Sequence, residues 1–102
     1  MNKLIQTKQK QIDILCEKYH VKALEVFGSA VRNAFDATQS DIDFLVEFDQ
    51  TGIENYADSY FGLLGALKDL FKQPIDLVVS SSIKNPYFLE SIEKDRAALY
   101  AA

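Results

Sequence analysis

Cysteine is almost missing from this sequence, and the one present, Cys16, can form no intramolecular disulfide and no Cys-rich zinc site. Long apolar runs are missing too. No stretch approaches the roughly 20 residues needed to cross a bilayer, and the N-terminus lacks the apolar core of a signal peptide. A soluble protein of the reducing cytoplasm, with no membrane partner, is therefore expected. Basic clusters are also absent: the net charge is −4 and the pI near 4.8. Direct nucleic-acid binding through an electrostatic footprint is thereby disfavoured. An acidic chain still binds a polyphosphate when divalent cations cancel the repulsion between its carboxylates and the ligand.

What is present is ordinary globular composition, 48% hydrophobic and 25% charged. At 102 residues the chain suits one domain, residues 1–102, with a continuous core but no room for a separate acceptor-binding domain. One compact site is the expectation.

From Leu4 to Tyr19, Ile5, Ile12, Leu15, Cys16 and Tyr19 recur at helical spacing, which predicts one amphipathic helix. Lys22 to Phe27 reads as a strand stopped by Gly28, with a helix starting at Ser29 and a loop over Asp36 to Ser40. A second strand spans Ile42 to Phe48, closed by Thr51 and Gly52. Tyr56, Tyr60, Leu63, Leu64, Leu67, Leu70 and Phe71 share a helical face and predict the longest helix, ended by Pro74. Ile75 to Val79 is a third strand, followed by a loop over Ser80 to Ser82. Asn85 and Pro86 then suit the N-cap and first position of a helix through Phe88, Leu89 and Ile92. Ala97 to Tyr100 fits either an edge strand or a continued helix. The order α-β-α-β-α-β-α has no internal repeat.

Chemistry concentrates at Asp41 and Asp43, which stand two apart at the start of the second strand and so share one face of it. Their backbones lie roughly 6.6 Å apart, and their carboxylates suit one or two hard cations. An Asp-x-Asp pair alone is common at strand ends. Asp43, however, lies inside an apolar strand, where an unpaired charge is costly and a bound cation would supply its partner. A third carboxylate has three candidates. Glu47 lies roughly 13 Å along the strand from Asp43, too far to share an ion, and Asp49 lies beyond it. Asp76 opens the third strand and would stand beside Asp43 if the two strands pair, so it is the preferred third carboxylate, although a solvated strand-end charge also describes it.

Gly28 and Ser29 join strand to helix, and the N–H groups of a helix N-terminus favour an anion. A plain turn with a Ser cap fits the same residues. Arg32, almost one turn on, reaches the same region or is a surface arginine. No Walker or Rossmann glycine pattern occurs, and Gly62 and Gly65 are expected to be packing glycines of the long helix. His20 suits a helix C-terminus, Cys16 the apolar stripe, and Tyr56, Tyr60, Phe61 and Phe71 core packing.

Taken together, Gly28-Ser29, Arg32 three residues later, Ser40-Asp41-Ile42-Asp43 running into Phe44-Leu45-Val46, and Asp76 in a later strand resemble the polymerase beta-like nucleotidyltransferase superfamily. More closely, the chain resembles the minimal nucleotidyltransferases (MNT), antitoxins encoded beside HEPN-domain toxins, over nearly its whole length. Asn33 departs from the Gly that often follows the Arg, which bears on the reach of Arg32. The resemblance implies an α/β (α+β) fold with a small mixed sheet and helices chiefly on one face. It implies Asp41, Asp43 and Asp76 as catalytic residues and Mg²⁺ ligands, two ions being expected, and Gly28, Ser29, Arg32 and Ser40 as the nucleotide-binding set. It further implies transfer of AMP from ATP to a Tyr hydroxyl of a cognate HEPN ribonuclease toxin, with Asp76 accepting the hydroxyl proton. The competing expectation is a catalytically silent antitoxin that neutralises its partner by binding alone. Transfer to RNA or a small molecule is disfavoured by the acidic charge and the missing acceptor domain.

Overall fold

Ile42, Phe44, Val46 and Phe48 are buried at every second position of Ile42–Phe48, whereas Asp43, Leu45 and Glu47 between them range from partly buried to buried to exposed, so the mixed sheet has two unlike faces. The computed structural model describes residues 3–28, 31, 41–51, 54–94 and 96–102, with the backbone only for 91–94. Strands β1 (Val21–Phe27), β2 (Ile42–Phe48), β3 (Ile75–Val79) and β4 (Arg96–Ala101) lie in the order β3-β2-β1-β4. The β2–β3 pair is parallel, whereas β1 runs antiparallel to both β2 and β4. Helices α1 (Lys3–Thr7), α2 (Gln9–Lys18), α3 (Tyr56–Phe71) and α4 (Pro86–Lys94) complete the described elements, with a short 3₁₀ turn at Ser80–Ser82.

Leu24, Val26, Ile42, Phe44, Val46, Leu77 and Leu99 point to one face and are buried there. They meet Ile5 of α1, Ile12 and Cys16 of α2, and Leu63, Leu67 and Phe71 of α3. Each such side chain is worth about 1.5–3 kcal/mol on burial. The opposite face carries only a small apolar group, Phe27 and Leu45 with Val78 and Ile83. There Phe88 of α4 meets Phe27 edge-on, with ring centroids 6.4 Å apart. Among the described residues, three helices therefore fill one face, while α4 touches the other and leaves much of it open.

The bounds of β2 and β3 coincide with those expected from the sequence, as does the span of α3. Asn55 caps α3 by accepting from the Asp58 N–H at 3.2 Å, and Lys72 ends it in the left-handed region, φ 57°, two residues ahead of Pro74. Asn85 caps α4, accepting from the Tyr87 N–H at 2.9 Å. The last segment is a strand: β4 pairs with the free edge of β1, and Gln9 of α2 donates to the Leu99 carbonyl at 2.7 Å.

Several expectations need correction. The first helix is not continuous, for α1 and α2 are separated at Lys8, where the Thr7 hydroxyl donates to the Leu4 carbonyl and tightens the turn. Phe61 is not core, being 65% exposed. Gly65 is not a packing glycine, since a Cβ there would meet nothing within 4 Å, whereas one on Gly62 would strike the Tyr19 ring at 2.4 Å. Tyr56 is 38% exposed and packs against Phe48 at 5.2 Å between centroids. The helix expected from Ser29, with Arg32, and the loop from Asp36 to Ser40 lie outside the described residues.

Candidate functional site

The open face of the sheet holds the acidic residues singled out above. Asp43 is the second residue of β2, the Ile42 N–H donates to the Pro74 carbonyl at 3.1 Å, and β3 thereby begins alongside β2. In the resulting parallel register Ile42 stands opposite Ile75 and Asp43 opposite Asp76. Because side chains alternate, Ile42 and Ile75 go into the core while Asp43 and Asp76 go to the other side. Asp41, just ahead of the strand, precedes Asp43 by the same two-residue step. Asp41 and Asp76 are exposed, and Asp43 is partly buried.

Asp43 is the carboxylate on which its surroundings act. Burial pushes the Asp43 carboxyl above its ordinary value, and the neighbouring charges of Asp76 and then Asp41 push it further. Glu47 is elsewhere, paired with Lys22 at 3.7 Å near the far end of β2. Asp49 is engaged by Thr51, whose hydrogen bonds hold its carboxyl low.

Gly28 closes the site from the β1 side. Phe27 is the register partner of Asp43, and Gly28 follows it with φ +74°. A Cβ on Gly28 would lie 2.8 Å from Asp43 Oδ2, so the absence of a side chain makes the space that the carboxylate occupies. Sequence reasoning gave this glycine a different reason, access for a phosphate. Across the same row, Phe27 stands opposite Arg96, whose Nε donates to Glu25 Oε2 at 2.7 Å. Arg96 escaped the sequence reading because the strand that carries it was not decided there. Ser29, Arg32 and Ser40, expected around the nucleotide, lie outside the described residues.

Three carboxylates of hard oxygen donors, with the cationic side chain on their row engaged by Glu25, fit a divalent cation. Among the described residues no three His, Cys, Asp or Glu side chains already form a group that could hold a metal ion. A cavity of about 420 Å³ lies at the other end of β2 and β3, between Phe48, Asp49, Tyr56, Val79 and Ser80, and includes none of the three. No helix among the described residues is long and apolar enough to cross a membrane.

The sequence and the fold have parallels among known proteins. Residues 8–99 match the model of the nucleotidyltransferase domain, and the chain belongs to that family. It is a nucleotidyltransferase. A Methanocaldococcus jannaschii protein provisionally named a protein adenylyltransferase is 46% identical over 87 residues, 85% of each chain. The fold is shared with a solved structure provisionally described as a minimal nucleotidyltransferase, at a TM-score of 0.75 and 22% identity, covering 95% of both chains. It is shared also with a solved Shewanella oneidensis complex of tri-AMPylated HEPN toxin and MNT antitoxin. That match has a TM-score of 0.64 and 18% identity and covers 96% of this chain and 73% of the other.

Proposed function

We propose that residues 1–102 act as one Mg²⁺-dependent adenylyltransferase domain, an antitoxin that transfers AMP from ATP to a Tyr hydroxyl of a cognate HEPN-type toxin. The observation that carries the chemistry is the register of Asp43 with Asp76 beside Asp41 on the open face. The kinship with provisionally named protein adenylyltransferases and the fold shared with an MNT antitoxin support the acceptor and the partner.

Asp41, Asp43 and Asp76 would hold Mg²⁺, which when bound neutralises the phosphates and the charge that develops at the reacting oxygens. Asp76, on the outer strand, is the carboxylate that accepts the proton of the acceptor hydroxyl. The hydroxyl oxygen attacks the α-phosphorus, a new O–P bond forms, the α–β bridging bond breaks and pyrophosphate departs. Gly28 keeps the Asp43 carboxylate in place, and Ser29, Arg32 and Ser40 hold the triphosphate. Positioning the acceptor hydroxyl against the three carboxylates supplies much of the rate.

The test is incubation with ATP, Mg²⁺ and the product of the neighbouring gene, followed by intact-mass measurement. Addition of AMP to that product is expected, and its failure at every stoichiometry would overturn the reading. Asp43→Asn should abolish labelling and protection from the toxin together. Protection that survives in this variant would replace catalysis with sequestration.

A further inference from the structure

Two residues on the outer face of α3 have no explanation inside the fold. Phe61 is 65% exposed, its ring meeting Tyr60 edge-on at 5.1 Å and otherwise facing outward. Gly65, one turn on, sits in open space although a mid-helix glycine costs about 0.5–1 kcal/mol relative to alanine. Nothing in the packing of the described residues asks for either.

Asp58, Phe61, Gly65 and Lys68 are all exposed and spaced three, four and three apart, so they form one stripe opposite the buried Leu63. The stripe is self-complementary. When a second α3 is laid antiparallel across it, with the two-fold axis level with Leu63, residues equally spaced about position 63 come face to face. Phe61 then meets Gly65 of the second copy, and Asp58 meets Lys68. Glu54, just before the helix, meets Lys72, which ends it, and both are exposed. An aromatic knob thus faces a notch with no side chain, flanked on both sides by opposite charges. A parallel arrangement would instead set Asp58 against Asp58 and Lys68 against Lys68, so charge selects the antiparallel pairing.

We propose that the outer face of α3 is a self-association surface through which two copies of this chain form a two-fold, antiparallel dimer. A two-fold contact uses the same patch on both copies, which is what the mirrored stripe provides. Phe61 is the anchor, with Gly65 as its seat. One helix pair buries less than a standard interface, so the dimer is weak and concentration-dependent. Because α3 lies on the face of the sheet away from Asp43 and Asp76, the contact does not cover these carboxylates.

Asp58 in the first turn and Lys68 in the last also suit the helix dipole, and the experiment separates the two roles. Sedimentation equilibrium of the full chain, from micromolar to millimolar at low salt, should show a monomer–dimer equilibrium. Asp58→Lys and Lys68→Asp should each weaken it at least about tenfold, a loss typical of one important interface residue. The double swap should restore it, even though charges that oppose the dipole at both ends lower Tm. Gly65→Gln should weaken dimerisation while raising Tm, which removes misfolding as an explanation. A chain that is monomeric throughout, a dimer indifferent to Gly65→Gln, or a double swap without recovery would each overturn the proposal.

Discussion

Asp43 works against the stability of the chain that carries it. Its carboxyl is held above the ordinary value by burial and by Asp76 and Asp41, so the folded chain binds a proton there more tightly than the unfolded chain does. The stability associated with the protonated form is present below the ordinary carboxylate range and is lost as pH rises through the raised value. At pH 7 without divalent cations, Asp43→Asn should therefore raise Tm by a few degrees in a thermal melt, while transfer activity falls on the order of 10²–10³-fold or more. Mg²⁺ should stabilise the parent chain and not the variant. Gly28→Ala places a methyl 2.8 Å from the Asp43 carboxylate oxygen at a backbone φ of +74°. It should lower stability by about 1–2 kcal/mol in denaturant titration and reduce activity, with the two effects arising at one position.

At the scale of elements, the parts legible in the sequence are those with strong punctuation. The apolar stripe from Tyr56 to Phe71 and Pro74 mark α3, and the apolar run of β2 leaves little choice of bounds, whereas the Asn55 cap and the left-handed Lys72 came from the structure. Asn55→Ala should cost about 1 kcal/mol by removing the acceptor for the Asp58 N–H, measurable as a shift of the denaturation midpoint. The split between α1 and α2 was hidden because Leu4 to Tyr19 keeps one helical stripe, and a hydroxyl-to-carbonyl bond at Thr7 leaves no mark on that pattern. The strand β4 was undecided because Ala97 and Ala98 favour helix locally, and only the free edge of β1 turns them into a strand. Phe61 was expected in the core from the helical spacing of Tyr56, Tyr60, Phe61 and Phe71, yet the helical step from Tyr60 to Phe61 turns it out of the buried face.

Across the molecule, the acidic trio was legible as residue types, but its assembly was not. Whether Asp76 meets Asp43 depends on the parallel pairing of β2 with β3, a long-range fact that no local pattern contains. The division between faces follows from the same pairing: α1, α2 and α3 pack on one side, and Asp43 and Asp76 are left on the other.

The strand β3 is also a border of the sheet, where unpaired backbone groups invite a strand from another molecule. A carboxylate at its second position makes that invitation unattractive, since a stacking neighbour would bring an identical charge alongside. Asp76→Val should therefore do more than silence the enzyme. Concentrated solutions of this variant should turn cloudy on warming, followed by light scattering, well before the parent or Asp76→Asn clouds to the same degree. The residue proposed to take a proton would then also be what keeps the protein from polymerising.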